Sequence, residues 1–424
     1  MATVHVIGAG LAGLACALRA ALAGASVVIY EAAGHAGGRC RSFRDDSLGC
    51  MVDNGSHMLM GANEATRTFL ADIGSADGVT EIAPASFPFH DLESGDRWRL
   101  MPTSGPLPLW ILSPDRRVPG TAARDYLAAF RLARAHPVDT VADCLDDGNP
   151  LFERMWQPLC RAALNTDART ASARLLWSML RSTFLKGEAA CRPLFFHNGL
   201  SPTLIDPALG VLRGLGAEIR MKARLRGISW TEGRATSLHL AEGRLRIGPD
   251  DAVVLAVPPE TCAELWPGVD VPQEFRPIVN AHFLLDEPPK LPWGSPFLGI
   301  IGGESQWLFS RKNVLSVTIS AAERLVDRPA WELANLLWSE AARALGRNVG
   351  RVPPWRVIKE RRATFAQTPF ELGRRAATVT GLENLFIAGD WTDTGLPATI
   401  ESAVRSGFAA AQQVLEPTTR LREC

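Results

Sequence analysis

The sequence predicts an α/β fold with two domains whose segments alternate along the chain. Residues 4–30 have the pattern strand, glycine-rich turn, helix, strand, and residues 384–415 have the pattern strand, loop, helix. The length of 424 residues points the same way, because a single compact core rarely exceeds about 250–300 residues. With 46% hydrophobic and 21% charged residues, the composition is typical of a globular protein.

The N-terminal unit has the pattern of a Rossmann-like dinucleotide-binding βαβ unit. Its first glycine permits a tight turn, its second lets the backbone approach a pyrophosphate, and its third lets helix and strand pack closely. The helix that follows presents free N–H groups to the phosphates. An acidic residue ends the second strand, where it can accept hydrogen bonds from the ribose hydroxyls. The residues predicted to bind the dinucleotide here are Gly8, Gly10, Leu11, Ala12, Gly13 and Glu31.

A second glycine-rich segment indicates that the bound dinucleotide is FAD and not NAD. Gly37, Gly38 and Arg39 follow Glu31 within a few residues, and the arginine would partly neutralise a pyrophosphate. In this position the segment resembles the FAD-binding signature of the amine oxidase and phytoene desaturase superfamily. We therefore predict FAD contacts from Gly38, Arg39, Gly55 and Ser56.

The C-terminal unit is similar to the second half of the same FAD-binding signature. Its strand ends in Gly389-Asp390, and a helix begins near Thr399 and Ile400. The resemblance implies that Asp390 contacts the phosphate–ribityl region and that the helix N-terminus faces the flavin pyrimidine ring. A positive helix end would stabilise reduced flavin by up to about 1–2 kcal/mol. No cysteine lies within 365–413, so we expect the FAD to be non-covalent.

The residues between these units complete the predicted domain organisation. Residues 214–220 and 223–230 are expected to form strands of an inserted sheet, and 251–257 a buried strand that stops at two prolines. The resemblance places a backbone contact to the adenine near Leu225. The predicted FAD-binding domain spans 1–80, 200–275 and 365–424, and the predicted mixed α+β, amine-oxidase-like substrate domain spans 81–199 and 276–364.

Charge and cysteine usage restrict the protein's partners and compartment. Lys+Arg and Asp+Glu both total 45, which gives no global reason to expect a nucleic-acid partner. The eight cysteines are scattered without a Cys-x-x-Cys pair, which indicates reduced thiols in the cytoplasm and no metal site.

Residues 107–117 are the candidate membrane contact. No apolar run reaches the 18 residues that a spanning helix requires. This segment combines prolines, an apolar stretch with Trp110, and the adjacent Arg116 and Arg117, a composition that suits a loop on the inner face of the cell membrane. The alternative is a loop packed against the protein's own core.

Residues 155–166, followed by Ser172 and Ala173, resemble the squalene-associated FAD-dependent desaturase family, to which hydroxysqualene dehydroxylation is assigned. The resemblance runs nearly end to end and includes 52–61 and 389–407. Two departures lie at Ser56, where the family usually has glutamine, and at 191–199, which replaces a more aliphatic stretch.

The resemblance implies a lipophilic isoprenoid substrate, hydroxysqualene, supplied by upstream squalene-pathway synthases for squalene and hopanoid biosynthesis. Loss of the allylic hydroxyl leaves a delocalised cation that reduced flavin can quench with hydride in a dry apolar pocket. An acid must assist the departure of the hydroxyl, and the candidates are His57 and Asn165. No second glycine-rich strand–turn–helix unit for NAD(P)H is evident, so the electron donor stays open.

Three other functions remain open at this point. A carotenoid or phytoene desaturase would run the flavin in the oxidising direction, and an amine oxidase would use an aromatic cage, which 398–400 does not supply. A non-catalytic flavin-binding partner of a terpenoid synthase is the alternative outside the enzymes.

Overall fold

The structure is a computed structural model that describes residues 2–416. Its strands are β1 (Thr3–Ile7), β2 (Ser26–Tyr30), β3 (Ser42–Asp45), β4 (Cys50–Asp53), β5 (Leu59–Met60), β6 (Val79–Glu81), β7 (Phe87–Asp91), β8 (Arg97–Leu100), β9 (Pro193–Phe196), β10 (Glu218–Arg220), β11 (Leu225–Thr231), β12 (Arg234–Leu240), β13 (Gly243–Arg246), β14 (Ala252–Leu255), β15 (Phe275–Leu284), β16 (Phe297–Ile301), β17 (Trp307–Arg311), β18 (Val314–Ser320), β19 (Trp355–Phe365) and β20 (Leu385–Ile387). Its α-helices are α1 (Leu11–Leu22), α2 (Glu64–Asp72), α3 (Ala123–Leu127), α4 (Val141–Cys144), α5 (Gln157–Leu164), α6 (Ala173–Ser182), α7 (Glu188–Cys191), α8 (Asp206–Gly214), α9 (Pro259–Leu265), α10 (Ala330–Ala344), α11 (Pro369–Leu372) and α12 (Ile400–Leu415).

A five-stranded parallel sheet in the order β10-β2-β1-β14-β20 is the centre of the fold. Its inner strands β1 and β14 and the strand β20 are largely buried on both faces, as parallel strands require, whereas the edge strand β10 is partly exposed. One face packs against α1, α8 and α12. The other face packs against α9 and the antiparallel sheet β11-β12-β13. The strands come from all three ranges that the sequence assigns to the FAD-binding domain.

One strand lies elsewhere than predicted. Residues 214–220 were expected to join the inserted sheet with 223–230, but β10 pairs in parallel with β2, with Glu218 opposite Val28. The physical reason is α8, which immediately precedes β10 and supplies the crossover that a parallel strand needs. The prediction for 223–230 is confirmed, because β11 opens the inserted antiparallel sheet.

The second large sheet has seven strands in the order β19-β15-β18-β17-β16-β7-β8. One face packs against α10, which buries Leu333, Leu337 and Trp338. The opposite face carries aromatic side chains that pack against α5 and α6. Its strands come mainly from the two ranges predicted for the substrate domain.

The segment 107–117 divides between core and surface. Trp110 is buried and packs edge-on against Tyr126, with ring centroids 5.3 Å apart. Arg117 donates a hydrogen bond to the carbonyl of Ile111. Leu109 and Leu112, in contrast, are 53% and 64% exposed. Trp110 thus follows the alternative of a loop packed against the protein's own core, whereas Leu109 and Leu112 lie at the surface.

Helices α1 and α12 approach so closely that a glycine is required at their contact. A Cβ atom at Gly407 would lie 2.2 Å from the Ala12 carbonyl oxygen, a backbone atom that cannot move aside cheaply. We expect Gly407→Ala to lower the free energy of unfolding by about 1–3 kcal/mol in urea denaturation, because the two helices must separate.

Gly210→Ala is the matched control, because Gly210 lies in α8 and a Cβ atom there would meet nothing within 4 Å. That change should be neutral or stabilise the protein by up to about 1 kcal/mol, the helix propensity difference. Equal effects of the two substitutions would contradict the close-contact interpretation.

Candidate functional site

The turn between β1 and α1 is held in a conformation that only glycine adopts readily. Gly8 has φ +106° and donates its N–H to the Tyr30 carbonyl oxygen at 2.8 Å. A Cβ atom at Gly13 would lie 2.0 Å from the carbonyl oxygen of Gly8. The sequence pattern therefore matches its expected steric purpose: a tight turn followed by close helix packing.

The N-terminus of α1 has the properties of a phosphate site. Gly10 is its N-cap residue, with no side-chain cap and no acidic residue in the first turn. A Cβ atom at Gly10 would meet nothing within 4 Å, so the space beside this backbone is open. The first-turn amides, which include those of Leu11 and Ala12, can therefore donate to a pyrophosphate. These residues fit the phosphate end of FAD.

The second glycine pair lies directly against the first. Gly37 donates its N–H to the Ala9 carbonyl oxygen at 2.8 Å, and a Cβ atom at Gly38 would lie 3.6 Å from the Gly10 Cα. The next residue, Arg39, pairs with Asp390 at 2.6 Å. This carboxylate raises the pKa of Arg39. Residues from both ends of the chain thus meet beside the open glycine turn.

Glu31 stands at the end of β2 and already contacts the glycine-rich turn. Its carboxylate accepts hydrogen bonds from the N–H groups of Ala9 at 2.8 Å and Ala33 at 2.7 Å. A carboxylate has about four lone-pair sites, so two remain for the ribose hydroxyls. The contact near Leu225 adjoins it, because Ala223 donates its N–H to the Glu31 carbonyl oxygen at 2.8 Å.

The N-terminus of α12 begins where the sequence predicts it. Thr399 is the N-cap residue, and its hydroxyl accepts a hydrogen bond from the Ser402 N–H at 3.3 Å. Ile400 is the first helical residue and is buried. The Glu401 carboxylate accepts hydrogen bonds from the N–H groups of Ala65 and Thr66 at 3.0 and 2.9 Å, which fixes α12 against α2.

The segment with Gly55, Ser56 and His57 is held by the seven-stranded sheet. His282 on β15 lies with its Nε2 3.1 Å from the Asp53 carbonyl oxygen, and Asn280 donates to the Asn54 carbonyl oxygen at 3.4 Å. The Asp53 carboxylate pairs with Arg311 on β17. Sequence reasoning missed these partners, because no local pattern connects residues more than 200 positions apart.

His57 is poorly suited to protonate a leaving hydroxyl. Its Nδ1 lies 2.9 Å from the Gly55 carbonyl oxygen, so a proton on Nδ1 makes this bond and leaves Nε2 as an acceptor. The side chain is exposed, and desolvation by the protein groups around it lowers the pKa of His57. A neutral imidazole is a weak acid, so the geometry favours a hydrogen-bonding role.

Asn165 has a structural role in this arrangement. It ends α5 in the left-handed region, with φ 47°, and its side chain is buried. Its Nδ2 donates to the Arg276 carbonyl oxygen at 3.1 Å and to the Thr364 hydroxyl at 3.0 Å, and its Oδ1 accepts from the Ala321 N–H at 2.7 Å. Both donor hydrogens are occupied by protein groups, which leaves no proton for a substrate.

A Rossmann-like sheet with two glycine segments, an acidic strand end and a C-terminal helix is the arrangement of an FAD-dependent oxidoreductase. The chain belongs to the flavin containing amine oxidoreductase family, whose model matches residues 11–415. FAD is therefore its cofactor. Within residues 2–416, no group of three or more His, Cys, Asp or Glu side chains could hold a metal ion.

The curated relatives of this chain have more specific names than the family. Three curated proteins that are 39–46% identical are named hydroxysqualene dehydroxylase. The one from Rhodopseudomonas palustris is 46% identical over 414 residues, covering 97% of this chain and 98% of the relative. A 15-cis-phytoene desaturase from Glycine max is 22% identical, covering 99% of this chain and 80% of that protein.

A solved structure shares the fold. Putrescine oxidase bound to putrescine superposes with a TM-score of 0.73 at 18% identity, covering 97% of this chain and 98% of that chain. This likeness shows the fold.

We expect Glu31→Ala to weaken FAD binding by about 1.5–3 kcal/mol, the range for hydrogen bonds to a charged group. The dissociation constant is measured by titrating apoprotein with FAD and following flavin fluorescence. Glu242→Ala is the matched control, because Glu242 is exposed in the turn between β12 and β13. Unchanged FAD affinity in Glu31→Ala would show that this carboxylate does not hold the ribose.

Proposed function

We propose that this protein reduces hydroxysqualene to squalene by replacing an allylic hydroxyl with hydrogen. The observation that carries the proposal is the 39–46% identity, over nearly the full length, to proteins named hydroxysqualene dehydroxylase. Bound FAD in its reduced form supplies the hydride. The chain's own residues bind the cofactor, exclude water and orient the apolar substrate.

The residues of the family block at 155–166 support a dry substrate domain. A π-helical turn, Phe152–Trp156, precedes α5, and such turns are frequent at functional sites. Met155 and Trp156 are buried in the same apolar cluster as the aromatic face of the seven-stranded sheet. Met58, directly after His57, packs against this cluster. An apolar environment thus begins one residue from the predicted flavin segment, which suits a hydrocarbon substrate and a cationic transition state.

The rival activities differ in the direction of electron flow or in the substrate. A phytoene desaturase oxidises a polyene, and the desaturase relative is 22% identical against 46% for the dehydroxylase. An amine oxidase would act on a polar amine, for which the largely apolar cluster offers no evident partner.

We expect anaerobic, dithionite-reduced protein to convert hydroxysqualene into squalene, about one molecule per reduced flavin in a single turnover. The product is measured by mass spectrometry of a solvent extract, and flavin reoxidation is followed by absorbance. Oxidised protein serves as the control and should form no squalene. Oxidation of phytoene or of an amine, without squalene formation, would instead show a phytoene desaturase or an amine oxidase activity.

We also propose that the protein lies on the surface of an anionic membrane, where its lipophilic substrate and the synthases that supply it would be found. Among residues 2–416, no helix is both long and apolar enough to cross a bilayer. Sixteen large hydrophobic side chains in this part of the chain are exposed, and five of them lie within the 24 residues of 107–130. These five define the apolar surface: Leu107, Leu109, Leu112, Leu127 and Phe130.

The apolar surface is contiguous with basic residues. Trp110 and Tyr126 pack together beneath it and connect the turn at Leu109–Leu112 to α3. Arg131 and Arg134 follow Phe130 and are exposed, and neither forms an ion pair with another residue of 2–416. Exposed leucine and phenylalanine beside arginine are the composition of an interfacial anchor.

We expect Leu109→Ser/Leu112→Ser and, separately, Arg131→Glu/Arg134→Glu to weaken binding to vesicles of phosphatidylcholine and phosphatidylglycerol by about tenfold each. Binding is measured by vesicle sedimentation. Phe370→Ser is the control, because Phe370 is 73% exposed but lies outside the apolar surface. If all variants sediment equally and keep intact flavin spectra, the apolar surface does not bind the membrane.

A further inference from the structure

A cavity outside the predicted FAD contacts lies between the small sheet β5-β9-β6 and the edge of the seven-stranded sheet. Its volume is about 660 Å³, within the usual range for small-molecule sites. Its walls come from β6, β7, β8, the segment 195–198, the loop 293–296 and the end of β17. The segment 195–198 belongs to the stretch in which this sequence departs from the squalene-associated family.

The cavity is positively charged. Arg99, Arg311 and Lys312 line it, and the described residues that form its wall include no carboxylate. Asp53 neutralises Arg311 from outside the cavity. Within residues 2–416, neither Arg99 nor Lys312 has an ion-pair partner. Two uncompensated positive charges therefore face the same space, which attracts a phosphate group.

A flat aromatic surface stands beside these charges. Trp293 is 49% exposed and adopts φ 57°, a conformation that costs free energy in a bulky residue and is often found at ligand clamps. The Arg99 guanidinium lies 5.3 Å from the centre of its ring. Phe195 and Phe196 form a further aromatic part of the wall.

The remaining wall is rich in neutral hydrogen-bonding groups. Hydroxyl, amide and imidazole groups come from Thr80, Ser86, His197, Asn198, Ser295 and Ser310. Thr80 and His197 bond to each other at 2.7 Å and Ser310 donates to the Pro289 carbonyl oxygen, so Ser86 and Asn198 are the wall groups without a protein partner among the described residues. An isoprenoid chain could not form hydrogen bonds with these polar groups, whereas the ribose hydroxyls and the carboxamide of a pyridine dinucleotide could. Charge, aromatic surface and polar wall together match a dinucleotide better than a lipid.

The proposed reaction consumes two electrons in each turnover, and the described part of the chain has one glycine-rich dinucleotide unit, which is assigned to FAD. We propose that the cavity lined by Arg99, Trp293 and Lys312 binds a reduced pyridine dinucleotide, the electron donor of the enzyme. This inference rests on the proposed function for the need of a donor, but its binding test does not depend on the substrate.

The electron balance closes with this donor. The C4–H bond of the dihydronicotinamide breaks and its hydride passes to FAD, leaving oxidised nicotinamide and reduced flavin. The same two electrons then reduce hydroxysqualene as its C–O bond breaks, and the hydroxyl leaves as water after taking up one proton.

The cavity adjoins the predicted flavin segment. Arg311 lines the cavity and pairs with Asp53, two residues before Gly55. Phe195 lies on β9, which pairs with β5, and β5 begins two residues after His57. Two separate connections therefore join the cavity wall to the segment 53–60.

The test is anaerobic reduction of the FAD-loaded protein by NADH and by NADPH, followed as loss of flavin absorbance in a stopped-flow instrument. Binding of the unreactive NADP⁺ and NAD⁺ is measured by titration calorimetry. We expect saturable reduction by at least one dinucleotide. Arg99→Glu and Lys312→Glu should each raise the half-saturating concentration about tenfold or more, because each loses a charged phosphate contact. Arg97→Glu is the matched control, on the same strand but outside the cavity wall.

Several outcomes would overturn the inference. Reduction by neither dinucleotide would exclude this class of donor and favour a separate electron-transfer protein. Reduction that is insensitive to Arg99→Glu and Lys312→Glu would place the donor elsewhere. Calorimetric binding of farnesyl diphosphate or a short-chain phosphatidylglycerol in place of the dinucleotides would assign the cavity to a lipid phosphate. The dithionite assay tests the proposed function independently of the donor. If dithionite-reduced wild type forms squalene, any of these outcomes counts against the donor site alone and not against the proposed function.

Discussion

The ion pair between Arg39 and Asp390 connects residues 351 positions apart, beside the glycine turns that are predicted to bind FAD. Arg39 also donates to the Ala363 carbonyl oxygen, so one guanidinium contacts the end of β19 and the loop after β20. Nearly half of the arginine side chain remains accessible, and such a pair contributes modestly to stability by itself. Its importance is geometric, because it sets the distance between the glycine turns and the start of α12, on which the cofactor contacts depend.

A second set of contacts joins the seven-stranded sheet to the same site. Burial lowers the pKa of His282 to about 4, so the imidazole is neutral at physiological pH and bonds both the Ser316 hydroxyl and the Asp53 carbonyl oxygen. A neutral ring in this position avoids the cost of an isolated buried charge. The segment that presents Gly55 and His57 is therefore positioned by the sheet that carries the apolar cluster.

Local steric rules account for what the sequence predicts well. Gly8 and Gly13 could be interpreted from sequence because their backbone conformation and packing are determined within one turn, and Thr399 because a cap acts within three residues. Long-range contacts account for the rest. The burial of Trp110 depends on Tyr126, and the pairing of β10 with β2 depends on the intervening helix α8. The role of Asn165 depends on three partners from separate strands and loops, none of which any spacing reveals.

The order of strands in the central sheet also has a consequence for biosynthesis. β14 and β20 pair next to each other, but β1, which pairs with β14, is made first and β20 last. Both β20 and α12 must therefore have been synthesised before the predicted cradle for the pyrophosphate and flavin is complete. A growing chain must therefore keep the apolar edge of β14 from other partners until β20 has been synthesised and can pair with it.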